Sequence, residues 1–217
     1  EACRHGRKDD FRFFSPTLPQ HSMRLNPLQN YARSSQIANR IASLLPAGGT
    51  SSAFRDFAWR AINVVVDGLL QSGSDPNLMN LRRYVEGDID GLIVKALERY
   101  LSDIAHRDRR LLGWMSEVRT LIGTLKQGGS VSLDRDTSLR AVAVATYYTQ
   151  SVKPRYPDKT IDAMLSIMLH DRAHYSKLIS NLIPLLEQLT SGPLSQLLSP
   201  DCDDPDDLRP IENFQKL

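Results

Sequence analysis

The run Asp88-Ile89-Asp90-Gly91-Leu92-Ile93-Val94-Lys95-Ala96-Leu97-Glu98-Arg99-Tyr100-Leu101-Ser102-Asp103-Ile104 decides the fold class. Ile89, Leu92, Ile93, Ala96, Leu97, Tyr100, Leu101 and Ile104 recur at steps of three and four, the period of a helix with one buried face. Glu98, Arg99, Ser102 and Asp103 fall on the opposite side, and Asp88 stands where a cap belongs. Such a helix must bury its stripe against neighbours, and the chain on both sides supplies helical patterns.

Towards the C-terminus, Leu111, Met115, Val118, Ile122 and Leu125 mark another amphipathic helix, ended by the turn Gly128-Gly129-Ser130. Ala141 to Tyr148 alternates Val with Ala and has some strand character. Its alanines and the lack of a partner strand favour helix. Helices are expected around Ile161 to Leu169 and Asp171 to Leu189, the second kinked at Pro184 and closed by Gly192-Pro193. Towards the N-terminus, Asp75-Pro76 opens a short helix ending at Gly87. Before it, a helix opens at Ser51 or Ser52. Phe54, Phe57, Ala61, Val65 and Leu69 form one apolar stripe there, and Trp59, Ile62 and Val66 a second. Only Asp56, Arg60, Asn63 and Asp67 interrupt the apolar surface, on one narrow line, which predicts a central, buried helix. Ile37, Ile41, Leu44 and Leu45 line a further face, with Ser34 or Ser35 as cap and Pro46 as stop. The expectation is an all-α fold, a bundle of about seven to nine helices. Phe11-Arg12-Phe13-Phe14, closed by Ser15-Pro16, reads as one short strand, orphaned because nothing else in the chain can pair with it.

The 217 residues are 41% hydrophobic and 24% charged, enough for a core and too apolar for disorder. A formal charge of +2 does not announce a nucleic-acid binder, but Asp201, Asp203, Asp204, Asp206 and Asp207 concentrate acid at one end and leave the rest more basic. Cys3 and Cys202 form no Cys-x-x-Cys pair, so free thiols are expected. No run approaches the ~20 apolar residues of a membrane span, and the start, with Glu1, Arg4, Arg7 and Lys8, is unlike a signal peptide. The orphan strand and this start together suggest a segment excised from a larger protein. The expected organisation is a flanking segment over 1–27, an all-α domain over 28–199 and an acidic linker over 200–217.

Three features invite a chemical reading. His170 and His174 have the i, i+4 spacing of a metal pair, but Asp171 stands where a zincin helix carries Glu, and Arg172 beside it repels a cation. Surface or interface histidines are favoured over a metal-dependent hydrolase. Gly48-Gly49 and Gly128-Gly129 follow helices and lack the Lys of a phosphate loop, so they read as turns. The basic residues Arg82, Arg83, Arg107, Arg109, Arg110, Lys126, Lys153 and Arg155 are either solvated charge or a DNA-contacting patch. In the second case binding would be sequence-tolerant, with single-stranded DNA the expected ligand.

Phe13-Phe14-Ser15-Pro16, Met23-Arg24-Leu25-Asn26-Pro27-Leu28, Arg33-Ser34-Ser35-Gln36-Ile37-Ala38 and Ala53-Phe54-Arg55-Asp56-Phe57-Ala58-Trp59-Arg60 resemble, in that order, the TraD/TraG-type coupling proteins of conjugative type IV secretion. Leu189-Thr190-Ser191-Gly192-Pro193-Leu194 and Leu198-Ser199-Pro200-Asp201 continue the resemblance, while roughly Leu81 to Tyr156 carries little of it. The resemblance implies the all-helical domain inserted in the family's NTPase domain, with the short strand and the acidic tail leading from and to the parent sheet. It implies substrate recognition: engagement of a relaxase–DNA complex, the relaxosome, and delivery to the transfer channel. The parent would be a hexameric, membrane-anchored ATPase at the cytoplasmic face of the bacterial inner membrane, using ATP and Mg. The family's nucleotide-binding residues have no counterpart here. The chain itself is therefore expected to be a soluble monomer, without enzyme activity and without a cofactor of its own. A purely structural insertion that shapes the hexamer's mouth is the remaining alternative.

Overall fold

The computed structural model describes residues 13–46, 51–127, 138–169 and 179–198. Nine α-helices occur among them: α1 (Ser34–Ala42), α2 (Ser51–Ser72), α3 (Leu78–Glu86), α4 (Ile89–Arg107), α5 (Trp114–Gln127), α6 (Leu139–Tyr147), α7 (Lys159–Leu169), α8 (Leu182–Leu189) and α9 (Gly192–Leu198). The fold is all-α.

Helix α2 is central, packing against α1, α3, α4 and α7. Ile62, Val65, Val66 and Leu69 are buried on it, as are Leu92, Ile93, Leu97 and Leu101 on α4. The line Asp56, Arg60, Asn63, Asp67 stays the polar one, and Asn63 donates from Nδ2 to Asp67 at 2.9 Å. Gly68 lets three helices meet. A Cβ there would stand 2.8 Å from the Met164 thioether of α7 and 3.1 Å from Leu92 of α4. Helix α6 packs between α4 and α5, α8 lies on α3, and α9 rests on α8 and on a 3-10 turn at Pro19–His21.

No strand is present among the described residues, so the expected strand is corrected: Phe13 and Phe14 lie in irregular chain, while Phe11 and Arg12 fall outside the described residues. With no partner strand, the segment folds back on itself. The Met23 amide donates to the Phe13 carbonyl at 2.8 Å, and the Ser22 hydroxyl bonds the Ser15 and Leu18 carbonyls at 2.7 and 2.9 Å. The Leu25 amide then donates to the Leu197 carbonyl at 2.8 Å, joining the entering chain to α9. Buried Asn26 donates to the Pro76 carbonyl at 2.7 Å and accepts from the Leu28 amide at 3.0 Å. Arg40 fastens the next turn, donating to the carbonyls of Pro27, Gln29 and Asn30 at 2.9, 2.6 and 2.6 Å.

Several local expectations change. Leu44 is 56% exposed, because α1 ends at Ala42 and the face turns away; Leu45 alone continues it. Phe54 is 37% exposed and Phe57 only half-buried, packed at the edge of the core. Asn77, not Asp75, caps α3, accepting from the Asn80 amide at 2.7 Å; Pro76 is held by Asn26 two residues short of the helix. Asp88 does stand at the N-cap of α4, but its carboxylate turns to Arg83 instead of the helix amides. Trp114 takes the buried position expected of Met115. The chain breaks at Ser180 and Asn181, which places Pro184 in the first turn of α8, where a missing amide costs nothing, instead of at a kink. Gly192, at φ +55, opens α9 instead of closing a helix.

Candidate nucleic-acid interface

The end of α4 and the loop after α6 build the most basic corner among the described residues. Helix α6 runs into a single π turn, Tyr148–Val152, in which the Lys153 amide donates to the Tyr148 carbonyl at 2.8 Å. The wider turn directs the chain back over α4. There the Tyr100 hydroxyl donates to the Tyr156 carbonyl at 2.8 Å, and the Tyr156 hydroxyl donates to Asp108 at 3.3 Å. These bonds seat Arg155 beside the turn that carries Arg107, Arg109 and Arg110. Arg107 ends α4, where a cation suits the helix dipole. Asp108 also accepts from the Arg110 amide at 3.0 Å and so shapes the following 3-10 turn, Arg109–Leu111.

Tyr148 locks the arrangement from inside. Its hydroxyl donates to Asp162 at 3.2 Å and accepts from the Asp158 amide at 2.9 Å, and its ring meets that of Tyr100 edge-on, with centroids 6.0 Å apart. Burial, opposed by the backbone hydrogen bond at Asp158 and reinforced by the Asp162 carboxylate, pushes its hydroxyl up to about 12.

The eight basic residues expected to contact DNA are not brought into one patch. Arg82 lies between α3 and α8, paired with Glu86 at 2.7 Å and bonded to Thr190 at 3.1 Å, with Glu187 at 3.7 Å. Arg83 pairs with Asp88, its Nε 2.7 Å from the carboxylate, and lies 5.3 Å from the centre of the Tyr84 ring. Both stand near the start of α4, roughly 28 Å from Arg107 at 1.5 Å per residue. Lys153 lies at the basic corner but is neutralised by Asp162 at 2.9 Å. Lys126 is at the far end of α5, roughly 18 Å from Trp114 by the same rise. Arg107, Arg109, Arg110 and Arg155 share one end of the bundle, all exposed, and none is in an ion pair among the described residues.

Sequence reasoning does not name Leu112 or Arg119 and puts Met115 on the buried face, yet all three are exposed at this corner. The helical period misplaces Met115, which stands beside the buried Trp114. A separate shallow cleft of about 450 Å³ lies between α1 and α2, lined by Asn39, Ala42, Ser43, Arg55, Asp56 and Trp59. Trp59 donates across it to Asn39 at 2.6 Å. His170 and His174, both cysteines, the two glycine pairs and the acidic tail lie outside the described residues. Among the described residues no group of three or more His, Cys, Asp or Glu could hold a metal ion, and no helix is long and apolar enough to cross a membrane. No family model, curated protein or solved structure matches the chain.

Proposed function

We propose that the chain is the substrate-recognition domain of a conjugative type IV secretion coupling protein, an all-helical body inserted in an NTPase. Its role is to engage the relaxase–DNA complex for delivery to the transfer channel. The observation that carries this reading is the junction of Leu25 with Leu197, because an inserted body must leave its host near the point where it entered. The order of the sequence pieces that resemble the family supports it. The arginines at the end of α4, without an ion pair among the described residues, supply what an anionic cargo needs, charge that tracks phosphates without reading bases. In this reading ATP, Mg, the hexamer and the membrane anchor belong to the parent protein, and the chain itself performs no catalysis.

The test is a binding series with the purified chain, oligo-dT, a duplex of matched length and a relaxase from the same mobile element. Sequence-tolerant binding of oligo-dT that weakens steeply with salt is expected, together with capture of the relaxase. Replacing Arg107, Arg109 and Arg110 with Ala should weaken DNA binding and flatten its salt slope at unchanged helical content. A chain that binds neither DNA nor relaxase at low salt overturns the reading.

A further inference from the structure

The corner between α4 and α5 carries more than charge. Leu112 and Met115 are 66% and 53% exposed, while Trp114 between them is buried and pins the backbone. Arg109 and Arg110 precede this pair, Arg119 follows Met115 by one helical turn, and Arg107 and Arg155 stand beside them. The acids nearby are Asp103, one turn before Arg107; Asp108, engaged by the Arg110 amide and the Tyr156 hydroxyl; Glu117, whose charge is felt by Tyr147; and Asp158 and Asp162, behind Tyr100, the first accepting from the Ile161 amide and the second paired with Lys153. None of them forms an ion pair with these arginines.

We infer that this corner docks an acidic protein segment with an apolar stripe: aliphatic side chains covering Leu112 and Met115, and carboxylates meeting the surrounding arginines. The inference deepens the recognition reading and rests on it, naming the chemistry of the protein part of the cargo. Charge complementarity sets the sign of the partner, since five guanidinium groups stand here without an ion pair among the described residues, while Asp108, Asp158 and Asp162 are already engaged by protein donors. The aliphatic pair sets its class. Phosphates gain nothing from Leu112 and Met115, and bases need a flat ring to stack on. The exposed ring at this corner, Tyr156, is tied to Asp108 through its hydroxyl. An apolar centre with an arginine rim is the composition of a protein-docking surface, where desolvation of the aliphatic contact supplies affinity and the rim supplies orientation.

The experiment uses a labelled peptide of about sixteen residues, roughly four helical turns, with Leu on one face and Glu elsewhere. A scrambled peptide of the same composition, oligo-dT, and vesicles of phosphatidylglycerol and phosphatidylcholine are the comparison probes. Fluorescence anisotropy is expected to show the patterned peptide binding about tenfold or more tightly than the scrambled one. Leu112→Ser with Met115→Ser should weaken the peptide about tenfold or more and leave oligo-dT binding unchanged. Arg109→Ala with Arg110→Ala should weaken both ligands. Circular dichroism of each variant controls for folding, and both substituted pairs are exposed. The inference is overturned if the patterned peptide does not bind, if the Leu112/Met115 variant holds it as well as the parent, or if only vesicles respond to that variant. Oligo-dT bound with the peptide unbound sinks this inference alone, whereas a chain that binds neither these probes nor the relaxase sinks the recognition reading with it.

Discussion

Arg99 lies across the α-carbon of Gly73, so that a Cβ built on that glycine would fall on the arginine's Nη1. Gly73 has φ +78, and its amide closes α2 by donating to the Leu70 carbonyl at 3.0 Å while Ser74 reaches Leu69 at 2.9 Å. A left-handed residue ends the helix, and a cation from α4 sits at its carbonyl terminus. Gly73→Ala is therefore strained by both backbone and neighbour, and should cost roughly 1–3 kcal/mol in urea unfolding. Adding Arg99→Ala should recover part of the loss. A double variant no more stable than Gly73→Ala alone would show that the collision contributes nothing.

The centre of the bundle is tested by Ile62→Ala, which removes a fully buried side chain of α2 and should cost roughly 2–5 kcal/mol. Phe57→Ala, at a half-buried site near the start of α2, should cost less despite the larger ring. Asp103→Ala, facing solvent on α4, should stay within about 0.5 kcal/mol. Melting temperatures in the order Asp103→Ala, Phe57→Ala, Ile62→Ala, highest first, are expected; equal values for the last two would contradict the burial gradient along α2.

Arg40 gathers the backbone carbonyls of Pro27, Gln29 and Asn30 onto one guanidinium. Arg40→Ala should destabilise the chain by roughly 1–3 kcal/mol and speed hydrogen exchange over 25–31. Arg40→Lys should recover only a fraction, because a single ammonium cannot reproduce the guanidinium fork. Full recovery by lysine would mean that charge, not geometry, is what the loop needs.

The raised Tyr148 hydroxyl makes stability fall at high pH. Its folded value of about 12 exceeds the ordinary 10, so the folded state holds the proton more tightly than the unfolded chain does. The stabilisation is complete below pH ~10 and is lost as pH rises from there towards ~12, by up to about 1.4 kcal/mol per pH unit for each such group. Tyr31, Tyr100 and Tyr147 are shifted in the same direction, chiefly by burial. Denaturant midpoints measured from pH 8 to 12 should therefore decline, and decline less steeply in Tyr148→Phe. An unchanged slope in that variant would assign the alkaline transition to the other tyrosines.

Most of the helices are legible because their periods are long and uninterrupted, α4 above all. The polar line on α2 likewise locates the centre, since only a helix surrounded on nearly every side can leave so narrow a polar strip. Periodicity fails where two adjacent residues compete for one face: Trp114 is buried and Met115 is left exposed. Capping grammar fails at Asp75, where the next residue, Pro76, is instead held by Asn26, 50 residues before it. At the basic corner, the approach of Arg155 to Arg107 depends on the π turn and on Tyr156, neither of which leaves a pattern. Lys153 loses its freedom to Asp162 on α7, and Arg82, held by Glu86 on its own helix, is approached as well by Glu187 of α8. Pairing across a bundle is invisible in one dimension.

The junction between Leu25 and Leu197 has a mechanical meaning. Tension applied through the two flanks would load that clasp first, peeling two stems apart like a zip pulled at its mouth. The helices behind it would stand outside that line of force. In the proposed reading, a motor pulling on the flanking chain would meet this clasp before it reached the helices that carry the basic corner.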